Sequence, residues 1–102
     1  MEKTFEEIAA RELQLYAENS FTVYQRILHP VIENLKKKIE KGIFDKEKAV
    51  KAFEHVADFA AQQYHKEFGA ALVPWYHIFD KATRRACAIA MTNDFINDYE
   101  NL

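Results

Sequence analysis

Apolar residues recur at steps of three and four along most of the chain, the spacing of a helix face, and only two glycines and two prolines interrupt them. The first such segment carries Phe5, Ile8, Leu15 and Tyr16. It opens on Thr4-Phe5-Glu6-Glu7, the form of a capping box, in which the threonine hydroxyl accepts from the amide of Glu7 and the glutamate reaches back to the amide of Thr4. A helix is expected over about 5–18. Asn19-Ser20 should end it, since asparagine tolerates a left-handed exit and serine can cap the next helix.

From Phe21 to Lys41 the positions Tyr24, Ile27, Leu28, Val31, Ile32, Leu35 and Ile39 form one amphipathic stripe. Pro30 lies inside it, lacks an amide and sets its ring against the carbonyl of Arg26, so the pattern predicts either a kink or two helices meeting at His29-Pro30. The unbroken period favours a kinked helix over 21–41. Gly42 follows Lys36, Lys37, Lys38 and Lys41, which joins a glycine stop to cations at the negative end of the helix dipole. Asp45 should cap a third helix to Phe68, with Ala49, Phe53, Val56, Ala57, Ala60, Ala61, Tyr64 and Phe68 on one face and Gly69 closing it. Residues 70–79 are apolar without a clear period and read as a loop or short helical turn over the core. Asp80 caps a last helix to about Tyr99, its inner face expected at Ala82, Ala86, Ile89, Ala90 and Phe95 or Ile96. The fold class is therefore all-α, a bundle of about four helices.

At 102 residues, with 49% hydrophobic and 29% charged residues, the chain has room for one ordinary globular domain spanning 1–102. A domain of this size buries only about two-thirds of its unfolded surface, which leaves apolar area for a homo-oligomer to cover. Lys plus Arg (14) against Asp plus Glu (16) gives a formal charge of −2, without the positive field that drives general nucleic-acid binding. No apolar run approaches the length of a membrane span, and the acidic start Met1-Glu2-Lys3-Thr4-Phe5-Glu6-Glu7 does not resemble a secretory signal, so a cytoplasmic protein is expected. Cys87 is the one cysteine, which precludes an internal disulfide.

The templates of enzymes fit poorly. Gly42 and Gly69 are isolated, so there is no phosphate cradle, and none of the four histidines has a glutamate three residues before it, as a helical di-metal site requires. Glu54, His55 and Asp58 share a helix face and read as solvated. Ser20 is accounted for as a cap, and Cys87 among Ala86, Ala88, Ile89 and Ala90 reads as a small buried hydrophobe. No enzymatic activity, metal or cofactor is expected.

Two surface features remain. Residues 36–51 carry seven lysines against Glu40, Asp45 and Glu47, whereas residues 86–102 carry Asp94, Asp98 and Glu100 with no Lys or Arg. The segment Val73-Pro74-Trp75-Tyr76-His77-Ile78-Phe79 precedes Asp80 and the paired Arg84 and Arg85. Trp75, Tyr76 and His77 are candidate anchors of an interface or a stacking surface, and Arg84 and Arg85 with Lys37 and Lys38 are candidate counter-charges. The competing reading makes Trp75 a hydrophobic lid, with Arg84 paired to Asp80 one turn back.

The run Glu12-Leu13-Gln14-Leu15-Tyr16-Ala17-Glu18-Asn19, with Pro30-Val31-Ile32-Glu33-Asn34-Leu35, Lys41-Gly42, Phe44-Asp45, Lys66-Glu67-Phe68-Gly69 and Ala82-Thr83-Arg84-Arg85-Ala86, resembles a family of small uncharacterised proteins of tailed phages and mobile elements. The likeness covers most of the chain and departs at residues 70–78. It implies an accessory protein acting against a host factor, and it brings no site. Two functions are thus in view: a protein-interaction module working as a homo-oligomer, and a binder of a small anionic ligand such as a nucleotide, with the binding energy expected between Trp75 and Arg85.

Overall fold

The structure, a computed structural model, describes residues 4–69 and 73–99, and these are all-α, with no strand among the described residues. In chain order the elements are α1 (Phe5–Asn19), α2 (Phe21–Val23), a π-helical turn (Tyr24–Leu28), α3 (His29–Glu40), α4 (Lys46–Phe68), the short α5 (Trp75–Ile78) and α6 (Lys81–Tyr99). Of the apolar stretch 70–79, residues 70–72 lie outside the described residues, and the remainder holds α5.

Four helix starts, those of α1, α2, α4 and α6, depend on a local side-chain hydrogen bond. Thr4 accepts from the amide of Glu7 at 3.1 Å, Ser20 from Val23 at 3.3 Å, Asp45 from Lys48 at 3.2 Å and Asp80 from Thr83 at 2.8 Å, each satisfying an amide that no helical carbonyl reaches. At the end of α3, Gly42 adopts φ 72°, and its amide bonds to the Ile39 carbonyl while that of Ile43 bonds to Lys38. This left-handed stop suits glycine because a Cβ there would meet the following carbonyl. Gly69 is required for a different reason. Its backbone is extended, but an added Cβ would lie 2.6 Å from both the ring and the carbonyl oxygen of His65.

The disturbance expected at Pro30 lies one turn earlier. Leu28 and His29 keep right-handed helical backbone, so α2, the π turn and α3 run as one continuous helix, and the His29 amide bonds to Tyr24 five residues back. A turn with an extra residue gives the pyrrolidine ring room at the carbonyl it would otherwise strike.

The core rests on small side chains. Ala49, Ala57, Ala60 and Ala61 of α4 are fully buried, and they face Ala10, Leu13 and Ala17 of α1 and Cys87, Ala88 and Met91 of α6. Phe53, Phe79 and Phe95 fill the larger gaps. α3 contributes one fully buried residue, Leu35, and packs against the π turn and α4.

Two helices turn faces to the core that apolar periodicity alone would not select. On α1 the inward residues are Ala10, Leu13, Gln14 and Ala17, whereas Phe5, Ile8 and Leu15 lie within about 80° of one another on the opposite side and are exposed. On α6 the expected face is partly corrected: Phe95 is buried and Ala86 and Ile96 pack on the core as expected, but Thr83, Cys87, Ala88, Met91 and Thr92 supply the rest of the buried face and Ala82 and Ile89 are exposed. The threonines are tolerated there because Thr92 donates its hydroxyl to the Ala88 carbonyl at 2.7 Å and so presents a methyl group to the core. Ala60→Leu, which forces bulk into the α4 seam, is expected to lower stability by about 1–3 kcal/mol, whereas Ile8→Ala on the outer face should change it by less than about 0.5 kcal/mol, both read from urea unfolding.

Candidate functional site

The Trp75–Arg85 segment is bound to the bundle by Phe79, which is 3% exposed and meets the Tyr64 ring edge-on at 5.1 Å. Upstream of it, the Val73 carbonyl lies 2.5 Å from Nε2 of His65. Trp75 is half-buried and Tyr76 and His77 are exposed, the three rings making edge-to-face contacts in succession. The anchor of this segment is therefore Phe79, at a position where the sequence has one apolar residue among many.

Both arginines are already engaged. Arg84 donates from Nη1 to Asp58 at 2.8 Å and from Nε to the carbonyls of Phe79 and Asp80, and its guanidinium lies 4.7 Å from the centre of the Trp75 ring. Its partner is thus Asp58 of α4, not the Asp80 carboxylate, which caps α6. Arg85 donates to Glu54 of α4. Glu54 and Asp58, read from the sequence as solvated, thereby tie α4 to α6, and with Lys81 these residues line a cleft of about 300 Å³. Trp75 and Arg84 come together. Lys37 and Lys38 do not join them: their neighbour Lys36 sits 4.5 Å above the ring of Tyr99, and fourteen residues of α6 separate Tyr99 from Arg85, about 21 Å along the helix.

A groove of about 440 Å³ lies between the end of α1, the π turn and the last turns of α6. Leu28, Phe53, Met91 and Phe95 form its floor, Tyr24 and Tyr99 stand at its sides, and Glu18, Asp94 and Asp98 rim it. Asp94 accepts from Nε2 of Gln14 at 2.6 Å, and the buried Gln14 is in turn held by Arg11 at 3.3 Å. Neither the groove nor the role of Gln14 is visible in the sequence, because the groove is assembled from five separate elements.

At the α1–α4 seam, Tyr16 donates to Glu67 at 2.8 Å and Tyr64 to Glu12 at 3.0 Å, a reciprocal pair around an edge-to-face contact of the two rings at 5.2 Å. Burial, and then the carboxylate acceptors, raise both phenols above their ordinary pKa. Cys87 is buried and its thiol is pushed up to about 12, which keeps it protonated at neutral pH. Among the described residues no cluster of His, Cys, Asp and Glu could hold a metal ion, and no helix is long and apolar enough to cross a membrane.

No family model, curated protein or solved structure matches the chain.

Phe79→Ala is expected to lower stability by about 3–5 kcal/mol in denaturant unfolding, while Tyr76→Ala costs less than about 0.5 kcal/mol. Asp80 supplies a pH dependence. The backbone amide of Thr83 holds its carboxyl below the ordinary value of 3.8, so its contribution is present above that pH and is lost as pH falls through the lower folded-state value. Asp80→Asn should flatten that part of the stability–pH curve below about pH 4, measured by thermal melting.

Proposed function

We propose that the chain is a non-enzymatic protein-interaction module of the cytoplasm that works as a homo-oligomer. The observation that carries this reading is the outer stripe of α1, where Phe5 is 92% exposed and Ile8 and Leu15 are also exposed on the side opposite the core. Capping and helix propensity do not call for bulky apolar residues there, and a run of them along one helix face gains free energy only when another surface covers it. Phe68, exposed beside Tyr16, adds apolar area at the edge of the same helix pair. The likeness to small phage and mobile-element proteins supports an accessory role in which the assembled module engages a host factor.

The second reading, capture of a small anionic ligand near Trp75, is less well supported. Asp58 and Glu54 already offset the charges of Arg84 and Arg85, and the Trp75 face is occupied by Arg84. An anion there would have to displace intramolecular partners.

Sedimentation equilibrium from micromolar to millimolar protein tests the first reading. Wild type is expected to self-associate, and Ile8→Lys combined with Leu15→Lys should weaken association by on the order of 2–3 kcal/mol, roughly 100-fold, without lowering the melting temperature measured at concentrations where wild type is monomeric. A wild-type chain that stays monomeric over the whole range would overturn it.

A further inference from the structure

The acid-rimmed groove carries three carboxylates and no Lys or Arg in its lining. Among the described residues, Glu18, Asp94 and Asp98 form no ion pair, and the one hydrogen bond to Asp94 comes from the neutral amide of Gln14. Asp98 also stands in the last turn of α6, where the helix has no basic residue and where the negative end of the dipole disfavours an anion. Helix stability does not account for a carboxylate at that position. An apolar floor inside an anionic rim fits an apolar group with cations around it.

The chain itself carries such a group. The left-handed stop at Gly42 brings Ile43 out of the α3–α4 corner, 61% exposed, and Lys41 and Lys46 on either side of it are exposed. Neither lysine forms an ion pair among the described residues, and the Asp45 carboxylate between them accepts from the Lys48 amide as the cap of α4. The next residue, Phe44, turns the other way and stacks on Phe95 of the groove floor, ring centres 5.9 Å apart. Phe44 thus ties the corner to the helix that lines the groove, while the exposed Ile43 is not part of the groove's own lining.

An acidic lobe and a basic lobe on one chain can pair reciprocally under a two-fold rotation, the acidic lobe of each copy meeting the basic lobe of the other. We propose that two copies pair reciprocally, the groove of each receiving Ile43 of the other while Lys41 and Lys46 meet Glu18 and Asp98. The pairing rests on the self-association proposed above and names the contact that sets its register. The groove and corner decide the orientation of the pair.

Charge exchange tests it. One variant, Glu18→Lys with Asp98→Lys, makes the groove basic; a second, Lys41→Glu with Lys46→Glu, makes the corner acidic. Sedimentation velocity is expected to show association of each alone weakened about tenfold or more, and an equimolar mixture restored to near the wild-type level, because every contact in a mixed pair is again between opposite charges. All four positions are exposed. Ile43→Asp, a single change at an exposed corner, gives an independent arm and should weaken association similarly while leaving the melting temperature of the dilute, monomeric protein unchanged. If wild type associates and neither charge variant nor Ile43→Asp alters it, or if both charge variants are weakened and their mixture does not recover, this pairing is wrong and the self-association reading survives. A wild-type chain that never associates removes both.

Discussion

Close packing of small side chains on α4 is the constraint on which the rest of this structure depends. With Ala49, Ala57, Ala60 and Ala61 fully buried, the neighbouring helices can approach that surface only if they too present small or slender residues. α1 does so with Ala10 and Ala17 beside Leu13, and α6 with Cys87, Ala88 and Thr92. A face with Phe5, Ile8 and Leu15 on it would have held the backbones apart. With the side that carries Ala10, Leu13 and Ala17 turned to α4 and α6, Phe5, Ile8 and Leu15 on the opposite side of α1 are left at the surface.

Polar groups are placed with the same closeness of fit. The buried Gln14, Thr83 and Thr92 leave no side-chain nitrogen or oxygen unpaired among the described residues, since Gln14 bonds to Asp94 and Thr92 to a carbonyl of its own helix. Arg84 sits at the junction of α4, α5 and α6, its side chain 16% exposed, joining the Asp58 carboxylate, two backbone carbonyls and the Trp75 ring. Its geometry is that of a structural fastener, and Trp75 is part of the assembly it fastens. Charges without an ion pair among the described residues include the carboxylates around the groove and Lys41 and Lys46 of the α3–α4 corner, which Phe44 joins to α6 by packing onto Phe95.

Strongly local features were legible in the sequence for a physical reason. Thr4, Ser20, Asp45 and Asp80 each bond to an amide three residues on, and Gly42 acts through its own φ, so the chemistry of every helix boundary lies within a few residues of it. Four long helical stretches and the all-α class come from those signals and from the spacing of apolar residues. Pro30 was readable as a disturbance, although its form, a π turn over Tyr24–Leu28, depends on how the helix yields and on nothing written at position 30.

The inward faces of α1 and α6 were decided by the tertiary structure, because each helix offers apolar residues in more than one direction and only contact with its neighbours selects which of them are buried. The pairing of Arg84 with Asp58 and of Arg85 with Glu54 spans 26 and 31 residues, and the groove draws on Glu18, Tyr24, Phe53 and Asp98. No local pattern encodes such distances. The sequence by itself determined where each helix begins and ends, through hydrogen bonds and dihedral angles a few residues in reach; which surfaces those helices bury, which charges they neutralise and which they leave facing outward arose only when the helices met.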